Sequence, residues 1–540
     1  MQRQNRWCAM LVADGLVIGL AIAGCSRAEA PAAAPTVARA TGSGGGKRGE
    51  VPLDQIYSKG PSFESAFQGD FATGAMFADI NGDGRPDLII ANGNDMSPQS
   101  LVVFFNRCDA AQHKISGCFG AYPDYYSEDS DYNGNIAVGD IDHDGWLDVA
   151  VAVPFDKQRH TAGGGVKVYL NKQGHLELAQ RLGNVGTFGC ALADVNADGQ
   201  LDLVVPAFSL AGAPGGVTWQ PEPARIYLND GGRFPSTPSW QTENPIVATG
   251  VAVADLNQDG WMDLAIAGKQ TFVYYGAAPG PAGRVPIDPV PAWTSADDDF
   301  TAIFVDAGRI VAGRALTLAV SRGCYPGMPR CGSDFALYQP SGRGEPVWHS
   351  APTYQSSILL LADLNADGLL ELIGGQWGDE KIGAPLWFFE GRRDGYHTTP
   401  DFVTGAGSTG SSGLAVAEGL AVADTRDCAT TTHQFTATAT AAGAVITLAE
   451  RQIAGVTSVS IAGRGLAARE WAFARGNNWI SLAHPYAAGD ALRVSYLASP
   501  VQDVAEATWN PDRGNLIYNS FLPTGRCVAG SSIPLQEKQP

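Results

Sequence analysis

The sequence predicts an all-β fold: a seven-bladed β-propeller with a small β-sandwich-like domain inserted in the seventh blade. Three observations predict it. A nine-residue loop recurs five times, with first aspartates at 79, 140, 194, 255 and 363. Short apolar runs bounded by Gly and Asp flank the copies, as buried strands are. The copies lie 61, 54, 61 and 108 residues apart, and a fixed period of this size with several strands per unit marks a ring of small sheets.

The elements follow in order. The first strand of a unit is a run such as Gly74-Ala75-Met76-Phe77-Ala78, Ile136-Ala137-Val138-Gly139 or Gly250-Val251-Ala252-Val253-Ala254. The second follows the loop: Leu88 to Ala91, Val149 to Ala152, Leu264 to Ala267. A third ends in asparagine at Asn106, Asn171 and Asn229. The 108-residue gap is two periods, so a degenerate fifth unit belongs there; Phe304-Val305-Asp306 followed by Leu316 to Val320 fits, with the loop carboxylates lost. A seventh unit starts at Ala421-Val422-Ala423-Asp424, breaks off after Asp427, and resumes at Asp503 to Ala507 and Asn515 to Asn519. The domain reading is therefore 51–427 for blades one to six and the start of blade seven, 428–500 for the inserted domain, and 501–530 for the end of blade seven and ring closure. The rival is a six-bladed ring followed by an independent domain.

Every loop reads D-x-[DN]-x-D-G-x-x-[DE]. The candidate metal ligands are Asp79, Asn81, Asp83, Arg85 and Asp87; Asp140, Asp142, Asp144, Trp146 and Asp148; Asp194, Asn196, Asp198, Gln200 and Asp202; Asp255, Asn257, Asp259, Trp261 and Asp263; Asp363, Asn365, Asp367, Leu369 and Glu371. Positions 1, 3, 5 and 9 offer side-chain oxygens and position 7 its carbonyl. That set suits Ca²⁺, which takes six to eight oxygens at about 2.3–2.6 Å. Glycine at position 6 permits the sharp turn. An EF-hand is excluded, because position 12 is Ile90, Val151, Val205, Ile266 or Gly374 rather than Glu, and the flanks are strands.

Loop, flanking strands and period together resemble the FG-GAP, or VCBS, repeats of integrin alpha-chain-like β-propellers, over about residues 60–425 and 501–525. The resemblance implies about five bound Ca²⁺ on one face of the ring. The fifth and seventh units depart from the pattern.

The net charge is −19, and sixteen of the acidic residues sit in the five loops. Five divalent ions would bring the charge to about −9. The acidity is metal-site charge, and it argues against a nucleic-acid partner. Residues 1–25 read as a leader: Arg3 and Arg6, an apolar stretch from Leu11 to Ala23, then Ile22-Ala23-Gly24-Cys25, which resembles a bacterial lipoprotein box with Cys25 lipidated. An ordinary secretory signal is the alternative. Residues 26–50 read as a flexible tether. The expected location is exported: lipid-anchored at an outer membrane or cell surface, or secreted.

Nine cysteines fit that context. Cys108–Cys118 and Cys324–Cys331 are close enough to pair, Cys428 and Cys527 flank the insertion and the chain end, and Cys190 reads as a buried free thiol. Residues 428–500 are similar to small immunoglobulin-like sandwiches. No catalytic motif stands out. Asp297-Asp298-Asp299 reads as an exposed acidic turn, with glycan chemistry the alternative. Trp146, Trp219, Trp261, Trp293, Trp377 and Trp387 read as packing, with a sugar-binding face the alternative. His143 is expected to face solvent. The functional expectation is a non-enzymatic, monomeric surface protein that binds a protein or glycan. A polysaccharide lyase or hydrolase, and a scaffold lipoprotein, are the other classes.

Overall fold

Each pair of apolar runs around a loop folds into an antiparallel hairpin, because the runs are too short for stable helices and the loop reverses the chain. In the first hairpin Ala72–Ala78 pairs with Asp87–Asn92; Leu101–Phe104 and Tyr125–Tyr126 add outward to make four strands. The same four-strand order recurs in sheets that start at Ile136–Gly139, Ala191–Ala193, Ala248–Ala254, Thr301–Gly308 and Ser356–Ala362. The computed structural model describes residues 52–518, apart from 67–69, 94–96, 109–116, 157–161, 212–217, 281–283, 297–300, 311–315, 324–332, 354, 378–384, 406–415, 427–429, 452, 500–501 and 510–513. The expected leader, tether and Cys25, the Asp297–Asp299 run, and Cys324, Cys331, Cys428 and Cys527 lie outside the described residues.

A seventh sheet draws on both ends of the described chain. Val416–Ala423 pairs with Asp503–Trp509, which pairs with Leu516–Tyr518, which pairs with Phe63–Glu64. The outermost strand thus comes from the N-terminal side, a contribution the sequence reading did not assign. First strands of successive sheets pack side by side, and Val416–Ala423 packs back against Ala72–Ala78. The architecture is that of a β-propeller. Closure in this way leaves no long free edge.

Repeated hydrogen bonds stitch neighbouring sheets. The asparagine closing the third strand donates Nδ2 backward to the carbonyl of the preceding sheet's loop: Asn171 to Ile80 at 2.8 Å, Asn229 to Ile141 at 2.8 Å, and Asn106 to Thr425 at 2.6 Å, the last across the closure. On the outer strands the donor points forward: Trp240 Nε1 to Ile287 O at 2.9 Å, Trp293 Nε1 to Gly342 O at 3.0 Å, Trp348 Nε1 to Tyr396 O at 3.1 Å. Trp293 is packing, as expected. Trp387 packs on Phe389, and Trp219 stacks on Phe188 and Phe208.

Between Ala423 and Asp503 the chain leaves the ring and builds two further sheets. One is Thr431–Thr438, Ala491–Ala498, Gly455–Ile461 and Arg464–Gly465; the other is Gly443–Thr447, Trp479–Tyr486 and Trp471–Ala472. Phe435, Ile446, Val459, Ile480, Leu482 and Val494 are buried between them. This two-sheet unit rests on the loop side of the ring. The Trp479 ring is buried, with Nε1 donating to Val253 O at 3.1 Å, and Val445, Ala472, Ala474 and Trp479 share one apolar cluster with ring residues such as Leu201 and Met262. The backbone N–H groups of Ala444 and Val445 both donate to Gly260 O, at 2.8 and 3.0 Å. Ala474 bridges Gly139, and Arg451 pairs with Asp306 at 2.6 Å. Among the described residues no helix is long and apolar enough to cross a membrane.

Asn106 holds three groups at the closure: its Nδ2 serves Thr425 O and Pro86 O, and its Oδ1 accepts from Cys108 N. Asn106→Ala leaves buried carbonyls without donors and is expected to lower stability by about 1–3 kcal/mol in denaturant unfolding. Gln241→Ala, on an exposed outer strand, is expected to change it by less than about 0.5 kcal/mol.

Candidate metal centres

The five loops share one geometry, set by where each carboxylate finds its backbone donors. Position 1 stands directly after the first strand. Its carboxylate accepts from the N–H of position 6 in every loop and, except in the second, from that of position 5: Asp194 from Asp198 at 3.0 Å and Gly199 at 2.9 Å, Asp255 from Asp259 at 2.9 Å and Gly260 at 3.0 Å. The position 5 carboxylate accepts from the N–H of position 7, as in Asp83 from Arg85 and Asp259 from Trp261. The turn needs two left-handed residues. Glycine supplies position 6, with φ between 85° and 89° in all five loops. Position 4 is also left-handed, at His143, Ala197, Gln258 and Ala366 with φ of 57° to 63°. A non-glycine residue there costs about 1–2 kcal/mol, which the surrounding bonds must offset.

The position 9 carboxylate is the most buried group. Asp87, Asp148, Asp202, Asp263 and Glu371 are all at 0 % exposure. One oxygen accepts from the N–H of position 2: Ile80 at 2.9 Å, Ile141 at 2.7 Å, Val195 at 3.0 Å, Leu256 at 2.7 Å, Leu364 at 2.6 Å. The other accepts from a residue just beyond the third strand: Asn106, Asn171, Asn229, Gly276 or Gly391. The longer Glu371 side chain keeps both bonds. The position 2 side chain is buried in every loop, an apolar requirement legible in the run Ile80, Ile141, Val195, Leu256 and Leu364 that the sequence reading did not use.

These residues fit a cation. In the second loop, carboxylate oxygens of Asp140, Asp142 and Asp148 lie within 4.8 Å of one another. Asp140 Oδ1 is buried there without a hydrogen-bond partner. Carboxylates at such a spacing repel by about 4 kcal/mol per pair at a surface-like dielectric unless a cation intervenes. Burial first, and then the neighbouring position 5 carboxylate, push Asp194, Asp255 and Asp363 up to about 7. Burial likewise pushes Asp87 and Asp148 up to about 7, and holds Asp202, Asp263 and Glu371 well above the usual range. Basic side chains partly cover two loops: Arg85 pairs with Asp83 at 2.7 Å, and Lys172 with Asp142 at 3.1 Å.

The fifth and seventh loops differ, and the structure gives the fifth a register that its residues alone did not assign. Gly308 faces Thr317 as Ala254 faces Asp263, so residues 309–317 are the loop. Arg309 takes position 1 and Thr317 position 9. Asp306 is three residues too early to start the loop; it lies inside the strand and pairs with Arg451. Buried Ile310 at position 2 fixes this register in the fold. In the seventh loop Ala423 faces Asp503, and Thr425 Oγ1 donates to Asp503 Oδ2 at 2.5 Å. Here a guanidinium meets the position 9 carboxylate, Arg426 to Asp503 at 3.0 Å, both buried.

One other side chain departs from expectation. His143 is half-buried rather than free in solvent; its Nε2 lies 3.0 Å from Gly199 O, tying the second loop to the third. The Trp146 ring covers Gly82 of the first loop so closely that a Cβ there would lie 2.7 Å from it. Cys108 and Cys118 are bonded as expected, and Cys190 is free, with burial pushing its thiol up to about 12. Away from the loops, His433 Nδ1 lies 3.2 Å from Glu450 Oε1 and its Nε2 lies 3.0 Å from Thr431 Oγ1. A cleft of about 540 Å³ at the rim between the first two sheets is lined by Tyr125, Glu128, Asp129, Tyr169, His175 and Glu177. The sequence reading flagged neither.

Comparison with known proteins points to the same repeats. A profile of the FG-GAP-like repeat matches residues 79–151 and 216–266. Mouse (Mus musculus) integrin alpha-7 is 37% identical over 86 residues, 14% of this chain and 7% of that protein. Human (Homo sapiens) integrin alpha-6 is 36% identical over 87 residues, 14% of this chain and 8% of that protein. The matched segment thus spans less than a tenth of these relatives.

The raised carboxylates set a pH dependence in metal-stripped protein. An acid whose pKa is higher folded than unfolded favours folding while protonated. That stability is present near pH 4 and is lost as pH rises to about 7. The melting temperature of stripped protein is therefore expected to fall from pH 5 to pH 8. With Ca²⁺, which binds the ionised form, the fall should disappear or reverse. Thermal scans at four pH values, with and without Ca²⁺, check this.

Proposed function

We infer, from the premise that this chain is an FG-GAP repeat protein with integrin-alpha-like repeats, that it is a calcium-stabilised seven-bladed propeller that works by binding rather than by catalysis. The observation that carries the reading is the common loop pattern with its buried position 9 carboxylate, and in the second loop the gathering of Asp140, Asp142 and Asp148, which a cation would neutralise. Positions 1, 3, 5 and 9 and the position 7 carbonyl of each loop would hold one Ca²⁺, about five in all. The ion would neutralise the cluster and lock the turn. Seven blades are supported by seven four-stranded sheets whose first strands neighbour one another around a closed circuit. An inserted domain at 428–500 is supported by the pairing of Ala423 with Asp503 on either side of it.

Export is supported by the Cys108–Cys118 bond, since such bonds persist in oxidising compartments. Lipid anchoring through Cys25 rests on the leader's residues alone. A protein or glycan is the partner proposed, and the rim cleft, with partly exposed Tyr125 and exposed Glu128 and Glu177, offers an aromatic ring and acidic groups for it.

Elemental analysis of dialysed protein is expected to find about five calcium ions per chain; one or none would overturn the reading. Binding to the native state alone stabilises by about 2.7 kcal/mol per site at a hundredfold excess over Kd. Chelation should therefore lower the melting temperature clearly, and added Ca²⁺ should restore it. A glycan array probed with and without Ca²⁺, alongside a polysaccharide-cleavage screen, separates binding from catalysis: captured glycans without cleavage support binding, and cleavage refutes it.

A further inference from the structure

The two-sheet unit does not touch all loops alike. The position 6 glycines of the third and fourth loops, Gly199 and Gly260, lie beneath it. A Cβ on Gly199 would be 2.8 Å from Ala483, and one on Gly260 would be 2.8 Å from Gly443. A Cβ on Gly84, Gly145 or Gly368, in the first, second and sixth loops, would meet nothing within 4 Å. The position 6 glycines of three loops are thus clear of the unit, and those of two lie under it.

The third loop is singular in a second way. In every loop one oxygen of the position 1 carboxylate accepts from the position 6 N–H. Among the described residues, only Asp194 receives a further side-chain donor on that oxygen: Ser481 Oγ, at 2.9 Å. Ser481 is at 0 % exposure and Asp194 at 1 %. Ser481 is 287 residues away in sequence and belongs to the second unit, so this bond crosses between the two bodies.

We propose that the third metal site is shared between the two units: Ser481 orients the Asp194 carboxylate toward the ion, so that an ion there and the seating of residues 430–498 over the ring strengthen each other. The inference rests on the metal reading above. A hydroxyl donating to Oδ2 fixes the rotation of the carboxylate, and it does so only while the unit is seated. Conversely, an ion that holds Asp194 and the loop in one geometry holds the acceptor in place for Ser481, and beside it the Gly199 surface on which Ala483 packs. Such coupling is reciprocal by thermodynamic necessity. Ser481 is a positioning residue, acting on the ion through Asp194. The neighbouring fourth loop is fastened by backbone bonds to Gly260 O and needs no side chain from the unit.

The test uses the full chain. Calcium is first counted in wild type, in Ser481→Ala and in Asp198→Ala, which removes a third-loop ligand without touching Ser481. Hydrogen exchange of the Ala444 and Val445 amides then reports seating. In Ser481→Ala, one calcium of the set is expected to bind about tenfold more weakly, since a bond to a charged group contributes on that scale. Ser481→Thr, which keeps the hydroxyl, should restore it. In Asp198→Ala, the two amides should exchange at least several-fold faster, and in Asp83→Ala, a first-loop control, at the wild-type rate. If wild type holds no calcium, the metal reading fails and this inference with it. If calcium is present, but Ser481→Ala leaves every affinity unchanged or Asp198→Ala and Asp83→Ala exchange alike, the shared site alone is overturned.

Discussion

The position 9 carboxylate is the constraint on which the rest depends. It begins the second strand of its sheet, accepts from the position 2 amide beyond the first strand, and accepts again from a residue just past the third. One side chain thus fixes three strands at one end of the sheet. It can do so only from inside, where a carboxylate is costly unless neutralised. The position 1 carboxylate, buried in the third and fourth loops and half-buried in the others, belongs to the same loop. Strand register and the demand for a cation are therefore one fact: the geometry that builds the sheet creates the charge an ion must answer.

Where the loop departs from the acidic pattern, the chain changes the charge. The seventh loop keeps Asp503 at position 9 and brings a buried guanidinium to it from Arg426. The fifth removes the problem: Thr317 replaces the carboxylate, and Arg309 stands where the others carry aspartate. The loop still spans nine residues and Ile310 still fills the position 2 pocket. Length and the apolar plug are thus requirements of the sheet, and the acidic residues are requirements of the ion. The two can be separated, and this chain separates them.

That separation also explains what could be read from the sequence. The loops, the strand runs and the break at Asp424 were legible because each is local: spacing, a required glycine, alternation. The fifth unit was legible in its two strand runs, Phe304 to Asp306 and Leu316 to Val320, but with the carboxylates lost nothing local fixed which residues fill the loop positions; the buried Ile310 does so only in the fold. His143 was misplaced because its partner, Gly199 O, belongs to the next loop. The strand Phe63–Glu64 was missed because two residues carry no periodicity, and its partner Leu516–Tyr518 lies at the far end of the described chain. Ser481 carries no local signal at all. What escaped is the set of contacts that exist only once sheets stand next to one another.

The second unit follows the same logic at a larger scale. Seen in sequence, it is a digression within one loop, free to be a tethered module. In the fold it returns to at least four other sheets, through Ala474 on Gly139, Ser481 on Asp194, Trp479 on Val253 and Arg451 on Asp306. These anchors lie at or just beyond the ends of the first strands, which are the strands that adjoin one another around the ring, so the unit straddles the middle of the loop side. Burying Trp479 there contributes on the order of several kcal/mol of apolar transfer, far more than its single hydrogen bond. The unit consequently covers the loop side over the third and fourth loops, while the position 6 glycines of the first, second and sixth stay clear of it.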